Sequence, residues 1–120
     1  MIEKIDLAAK LATFDEPWQP KIVAELNDAY VKVVKFDGAF VWHHHDDEDE
    51  LFLVVSGRMR MQFREGDQVL GPGELIVVPR GVEHCPIGED GCQIVMVEPK
   101  TTLNTGNVRN ERTVDEPERI

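Results

Sequence analysis

The sequence is short of cysteine, of basic residues and of long apolar runs. Two cysteines in 120 residues do not make a disulfide framework, so we expect reduced thiols. With 13 Lys and Arg against 23 Asp and Glu, the net charge is −10. That charge weighs against nucleic acid and against an anionic membrane surface as partners, since both need a basic patch. No segment approaches the ~20 apolar residues of a membrane span.

The length and the first residues bear on the number of domains and on the location of the protein. A length of 120 residues fits one domain, which we place at 1–120, and the sequence contains no repeat and no low-complexity linker. The start, MIEKIDLAAK, mixes charges of both signs and lacks the apolar core of a signal peptide. We therefore expect a cytoplasmic protein.

The spacing of apolar residues differs between the first residues of the chain and the rest. Residues 2–13 place apolar side chains near helical spacing and predict a short amphipathic helix. Residues 21–98 contain about eight short segments rich in Val, Ile and Phe, separated by Gly, Asn and Asp turn signals. This pattern predicts an all-β sandwich or small barrel. The tail, 99–120, is polar and irregular, or forms a short helical turn capped by Thr113.

Two kinds of strand can be distinguished by their faces. RMRMQFR (58–64) alternates, so its apolar side chains share one face and its arginines share the other. LFLVV (51–55) and LIVV (75–78) are apolar on both faces and need cover on the outer side as well. The N-terminal segment or a second subunit would provide that cover, and we expect a homodimer.

The segment WHHHDDEDE joins three of the four histidines to five acidic residues. On a strand, His43 and His45 point to one side and His44 to the other. Two imidazoles on one side can share an ion, which a carboxylate from a neighbouring strand could help to bind. His84, the fourth histidine, follows another turn. Imidazole together with carboxylate suits divalent Fe, Mn, Ni, Cu or Zn.

Other polar residues near the histidines have simpler interpretations. The acidic residues 46–49 repel one another, so we expect a solvated loop there rather than metal ligands. We expect His44 to be a bystander. Glu83 and Cys85 flank His84, and strand alternation directs both away from a metal. The sequence therefore indicates no general acid or base.

These residues resemble the two sequence motifs of the cupins. The first motif has a glycine, HxH, a glutamate and a second glycine, which correspond here to Gly38, His43, His45, Glu50 and Gly57. The second has a glycine, PxG and a histidine, which correspond to Gly73, Pro79, Gly81 and His84. Two features depart from the pattern. Four residues rather than five precede the first histidine, and Gly88 replaces an Asn that often follows the last.

The resemblance covers roughly residues 28–98. Within the family, the sequence is similar to small single-domain bacterial cupins. It implies a double-stranded β-helix, or jelly roll, with a divalent metal held by three histidines and one glutamate. Within the acidic run, Glu50 keeps the family's six-residue spacing to Gly57, whereas Glu48 does not. The implied metal ligands are His43, His45, Glu50 and His84.

The surroundings of this metal site bear on the substrate. If Glu50 faces inward, then Phe52 and Val54 also do. On the alternating strand, the apolar face should line the pocket, because arginines there would be costly without partners. The side chains predicted to line the pocket are Phe52, Val54, Met59, Met61 and Phe63.

Such a pocket has little fixed positive charge, which argues against a sugar-phosphate isomerase. The leading hypothesis is a metal-dependent, dioxygenase-like oxidoreductase that uses Fe or Mn on a small, largely apolar organic substrate. Two alternatives stay open: a cupin that binds or senses a small ligand without turnover, and a Zn- or Ni-dependent isomerase or lyase.

Overall fold

The computed structural model describes residues 2–120. This part of the chain contains one helix and seven strands, which confirms the predicted all-β class with a short N-terminal helix. The elements are α1 (Leu7–Leu11), β1 (Lys21–Leu26), β2 (Ala29–Ala39), β3 (Glu50–Phe63), β4 (Gly66–Leu70), β5 (Leu75–Val78), β6 (His84–Pro99) and β7 (Glu118–Arg119).

The strands pair in the order β4–β3–β6–β2–β1–β7, and β5 pairs with the first half of β3. The long strands β3 and β6 run antiparallel, from Leu51 opposite Val97 to Phe63 opposite His84. β6 also pairs along most of its length with β2, which places Lys32 opposite Met96. These three strands therefore form the frame that carries the interior side chains.

β3 joins two segments, ELFLVV and RMRMQF, that the sequence predicts to be separate strands. Gly57, which lies between these two segments, is inside β3 with a φ of +72°. A Cβ at this position would lie 2.7 Å from the Asp90 carbonyl oxygen, so the strand passes close against β6 here. Only glycine allows this bend and approach without breaking the strand.

The helix is shorter than predicted because Asp6 caps it. The Asp6 side chain accepts a hydrogen bond of 3.1 Å from the Ala9 amide, and the helix begins at the next residue. Of the described residues, none belongs to a helix long and apolar enough to cross a membrane.

The tail is irregular apart from β7, and the helical turn predicted after Thr113 is not formed within the described chain. The Thr113 hydroxyl instead lies 2.8 Å from that of Thr105 and accepts a hydrogen bond from the Asn110 amide. β7 pairs in parallel with β1. The tail is therefore held to the strands by side-chain contacts and two residues of sheet.

Apolar side chains pack on both faces of the sheet. The inner core contains Trp18, Phe36, Phe52, Met59, Met61 and Ile94, among others. On the outer face, Leu11 of α1 packs with Val33, Val95 and the half-buried Leu53. The N-terminal segment thus covers part of the outer face. Leu75 and Val77 of β5 stay 57% and 49% exposed.

Candidate metal centre

Three parts of the chain bring the predicted metal ligands together. His43 and His45 lie in the connection after β2, Glu50 is the first residue of β3, and His84 is the first residue of β6. The predicted strand through His43 and His45 is reduced to a single bridge, in which the His43 and His84 amides each donate to the other's carbonyl, at 3.0 and 2.9 Å. This bridge fixes the two histidine backbones side by side.

All four side chains are buried and converge on one point. His43, His45, Glu50 and His84 are 3%, 4%, 2% and 1% exposed. One nitrogen or oxygen atom from each lies within 4.8 Å of the others. The cluster could therefore hold a metal ion, and it contains the residues that the motifs predict.

The rest of the histidine and acidic run lies outside the cluster. His44 turns away, with Nε2 3.0 Å from the Asp46 carboxylate. Asp46, Asp47 and Asp49 are exposed, and Glu48 accepts a hydrogen bond from the Thr101 hydroxyl at 2.8 Å. The loop predicted at 46–49 and the bystander position of His44 agree with this arrangement.

Hydrogen bonds to backbone carbonyls set the tautomers of two histidines. Nδ1 of His43 lies 2.9 Å from the Val41 oxygen, and Nδ1 of His84 lies 2.8 Å from the Val82 oxygen. A carbonyl only accepts, so Nδ1 carries the proton in both rings. In the neutral rings, each Nε2 then presents a lone pair to the cluster, as histidine ligands of metals do.

The atoms that meet in the cluster are mostly acceptors. Glu50 Oε1 lies 2.9 Å from Nε2 of His45 and 3.2 Å from Nε2 of His84. Despite this short distance, Nε2 of His45 makes no hydrogen bond to that oxygen or to any other group within the described part of the chain. Buried acceptors this close repel one another unless a cation lies between them. The donor set therefore fits a divalent metal.

The ionisation of the cluster agrees with this interpretation. Burial, helped by the neighbouring His84, lowers the pKa of His43 to about 4. Burial alone would raise the pKa of Glu50, but the contacts with His45, His84 and Glu98 lower it overall. Near neutral pH the site thus combines a neutral His43 with a charged carboxylate, which is the state that binds a metal.

A cavity with mainly apolar walls adjoins the cluster. Measured by where the centre of a water molecule fits, its volume is about 30 Å³, which is room for roughly two waters. Trp18 stacks between Phe36 and Phe40, with ring centroids 4.4 and 4.6 Å apart. The side chains that line the cavity are Trp18, Pro20, Val34, Phe36, Phe40, His43, Glu50, Phe52, Pro86, Met96, Glu98 and Asn104.

Of the side chains predicted to line a pocket, Phe52 lies on this cavity. Val54, Met59 and Met61 are at most 1% exposed and belong to the packed core. Phe63 packs against that core and is half-buried. None of these four lines the cavity: the interior beside Val54, Met59 and Met61 is filled by packing, and Phe63 lines a separate depression on the surface.

Two buried charges on the cavity side are absent from the sequence-based site. Glu98 is 2% and Lys32 1% exposed, and Lys32 Nζ donates to Glu98 Oε1 at 2.7 Å. Burial and the nearby Glu50 charge raise the pKa of Glu98, against the effect of Lys32. Strand alternation could have indicated that both side chains point inward, because each shares a strand face with buried apolar residues. Glu98 shares a face with Ile94 and Met96, and Lys32 shares one with Val34.

The arginines of β3 lie on the outside, as the alternation predicts. Side chains of Arg58, Arg60 and Arg64 are 49%, 39% and 57% exposed. Their partners are acidic residues on the surface: Asp67, Glu83, Glu89 and Asp90. The thiols of Cys85 and Cys92 are free and buried, and burial raises the pKa of Cys92 to about 12.

Comparison with known proteins identifies the family. Residues 30–98, more than half of the chain, match the family described as Cupin domain. The chain belongs to the cupins. Both motifs, from Gly38 to Gly57 and from Gly73 to His84, lie inside the matched residues.

Solved structures of similar proteins support the same assignment. This cupin is 42% identical to a cupin-2 domain containing protein from Shewanella frigidimarina, with a TM-score of 0.78 over 80% of this chain and 94% of the other. It is 35% identical to protein NMB1881 from Neisseria meningitidis, with a TM-score of 0.74 over 82% and 100%. The small single-domain cupin and its jelly-roll fold are thereby confirmed.

A curated relative covers less of the molecule. This cupin is 36% identical over 63 residues to the uncharacterized protein YdbB of Bacillus subtilis. The match spans 52% of this chain and 56% of the Bacillus protein. The chain thus matches little more than half the length of that relative.

Proposed function

We propose that this cupin is a metal-dependent, dioxygenase-like oxidoreductase that acts on a small, largely apolar organic substrate. The observation that carries the proposal is the position of the buried ligand cluster. Two of its members, His43 and Glu50, lie on the wall of the apolar cavity. A molecule in that cavity would contact the metal centre directly.

The donor set bears on the metal. Three imidazoles and one carboxylate suit Fe or Mn, with Ni, Zn and Cu as alternatives. When bound, such a metal supplies a Lewis acid and, for Fe or Mn, an electron relay. His43 and His84 present Nε2 to it because the carbonyls of Val41 and Val82 fix the opposite nitrogen. Glu50 supplies the negative charge.

The cavity walls bear on the substrate. Trp18, Phe36 and Phe40 form a stacked aromatic wall that excludes water and favours a flat, apolar molecule. The volume of about 30 Å³ favours a small one. A phosphate would have to enter without the β3 arginines, which are exposed and paired with acids, so sugar-phosphate isomerisation is disfavoured.

Oxygen consumption tests the proposal. Protein prepared without an affinity tag is loaded with Fe²⁺ or Mn²⁺, and oxygen uptake is measured with a panel of small aromatic and aliphatic alcohols, thiols and carbonyl compounds. We expect uptake with at least one compound, and none with the Glu50→Gln variant. His44→Ala, which alters a neighbour outside the cluster, serves as the matched control and should keep the activity.

A ligand-binding cupin without turnover is the second candidate. It is favoured by the scarcity of proton-transfer groups on the cavity wall beyond the ligand cluster itself. A compound that raises the melting temperature of the metal-loaded protein, yet is recovered unchanged and consumes no oxygen, would decide for this candidate. Turnover without oxygen uptake, with Zn²⁺ or Ni²⁺ bound, would indicate the isomerase or lyase.

A further inference from the structure

The C-terminal tail contacts the backbone of the segment that carries two of the metal ligands. The His44 amide donates to Oδ1 of Asn107 at 2.9 Å, and the Asn107 amide donates to the His44 carbonyl at 3.1 Å. Gly106 and Asn107 both lie beyond residues 30–98, which match the family. A contact from outside the matched residues thus reaches the residue between two ligands.

The other edge of the same segment is held by the strands. His43 exchanges two backbone hydrogen bonds with His84, and the His45 carbonyl accepts from the Gly81 amide at 2.7 Å. In an extended segment the backbone groups of successive residues point to opposite edges, so the tail bonds to His44 while the other edge bonds to its two neighbours. The positions of both imidazoles therefore depend on bonds along the two edges.

Gly106 allows the tail to come this close. Its φ is +56°, and a Cβ there would overlap the His44 carbonyl oxygen and lie 3.1 Å from Cδ2 of the His43 ring. Any other residue would have to separate the tail from the segment or displace the histidine. Glycine is thus needed both for the backbone conformation and for the approach.

The tail is ordered enough to act as a support, because it is closed on itself by side-chain hydrogen bonds. Asn104 donates from Nδ2 to the Arg112 carbonyl at 2.8 Å, and its Oδ1 accepts from the Val114 amide at 2.9 Å. Thr105 is fully buried, and its hydroxyl lies 2.8 Å from that of Thr113. The two residues that follow Thr105 are thus presented by a braced loop rather than by a free end.

We propose that Gly106 and Asn107 are positioning residues of the metal centre. Acting through the His44 backbone, they set the spacing and direction of the two flanking imidazoles. They touch neither the metal nor a substrate. This inference rests on the metal centre of the proposed function, and it makes the tail part of that centre. It also gives His44 a role through its backbone, although its side chain turns away.

Two substitutions of Asn107 test the hydrogen bond to the His44 amide. The untagged full chain and each variant are titrated with Co²⁺, whose visible absorption bands depend on the number and geometry of its ligands. Asn107→Leu keeps a similar size but cannot accept, whereas Asn107→Asp keeps an acceptor oxygen. We expect Asn107→Leu to shift the bands and to bind Co²⁺ roughly tenfold more weakly, the lower end of what losing a group that orients a ligand costs. Asn107→Asp should keep the wild-type spectrum.

Gly106→Ala and Gly91→Ala form a matched pair that tests the close approach. Both glycines have a positive φ, +56° and +70°, so alanine strains the backbone at each. A Cβ at Gly91, however, would have open space around it. Thermal unfolding without metal measures the destabilisation that the two variants share. We expect only Gly106→Ala to shift the cobalt bands and weaken binding.

The outcomes separate this inference from the metal centre. If Asn107→Leu and Gly106→Ala keep the wild-type spectrum and affinity, the tail does not position the ligands, while cobalt uptake leaves the metal centre intact. The role is also overturned if Asn107→Asp changes the spectrum as Asn107→Leu does, or if Gly91→Ala changes it as Gly106→Ala does. The two Asn107 variants decide if Gly106→Ala does not fold. If the wild type takes up no Co²⁺, the metal centre is wrong and the role of the tail falls with it.

Discussion

Nε2 of His45 lies 2.9 Å from Oε1 of Glu50, and both side chains are only 2% exposed. In this position neither atom reaches water, and His84 presents a third ligand atom 3.2 Å from the same oxygen. The contact assembles the ligand set before any metal arrives. It also means that the folded protein without a metal keeps a buried carboxylate close to imidazole nitrogens and away from water.

Removing the metal should therefore lower the stability of the wild type. A ligand that binds only the folded state stabilises it by about 4 kcal/mol at a thousand times its dissociation constant. We expect a chelator such as EDTA to lower the melting temperature of the metal-loaded wild type by several degrees. The Glu50→Gln variant, measured in parallel by thermal unfolding, should show little change. If neither the chelator nor added metal changes the melting temperature of the wild type, this prediction is wrong.

The lowered pKa of His43 predicts a pH dependence in the metal-free protein. Its pKa is about 4 in the folded state, against 6.5 as the ordinary value. As the pH falls, the unfolded chain takes up this proton first, so stability present above pH 6.5 is lost between 6.5 and about 4. The size of the loss is about 3 kcal/mol at 1.36 kcal/mol per unit.

A comparison with His43→Leu isolates this effect, because other groups titrate in the same range. Glu98 has a raised pKa and contributes the opposite slope above its ordinary value. Urea unfolding of both proteins with a chelator present, at steps from pH 7 to pH 4, gives the difference in unfolding free energy. That difference should shrink as the pH falls. A constant difference would show that His43 titrates normally in the fold.

The Lys32–Glu98 pair predicts a non-additive stability effect. Glu98→Leu alone leaves the Lys32 ammonium buried without its partner, and should destabilise the protein by roughly 3–5 kcal/mol. Lys32→Met/Glu98→Leu removes both charges and should be close to neutral or stabilising. Denaturant unfolding of the two variants and of Lys32→Met measures the coupling. Additive single-variant effects would mean that the two residues do not act as a pair.

The ligand cluster was largely predictable because its signals are local. Strand alternation separates His44 from its two neighbours, and a fixed spacing to Gly57 singles out Glu50 from the acidic run. The resemblance to the cupin motifs then joins these residues to His84. Each signal depends on a few residues that are near in sequence. The side chains keep the predicted directions even though the strand through His43 is only a single bridge.

The cavity was harder to predict because it depends on strand pairing. Lys32 and Glu98 are 66 residues apart, and they meet because β2 pairs with β6. That register cannot be deduced from one sequence with such short strand signals. The inward direction of Met59 and Met61 was predictable from alternation, but whether an interior side chain lines a cavity or fills the core depends on the packing around it.

The exposed residues of β5 bear on the predicted homodimer, which we propose for this cupin. Leu75 and Val77 pair with Leu53 and Leu51 of β3, and they extend an apolar outer face that α1 covers only in part. A second copy of the chain would bury them.

We expect sedimentation of the wild type to give a dimer and Leu75→Lys/Val77→Lys to give a monomer. Val69→Lys, at an exposed position of the edge strand β4, is the control and should stay dimeric. A monomeric wild type at all accessible concentrations would exclude the dimer.

Metal analysis of untagged protein tests the account most directly. The wild type, prepared without a nickel column, is compared by elemental analysis with His43→Ala/His84→Ala and with His44→Ala, before and after incubation with Fe²⁺ or Mn²⁺ and removal of the excess. We predict close to one transition-metal ion per chain in the wild type and in His44→Ala, and almost none in the double variant. Equal metal contents in the wild type and the double variant after reconstitution would contradict the metal centre at His43, His45, Glu50 and His84.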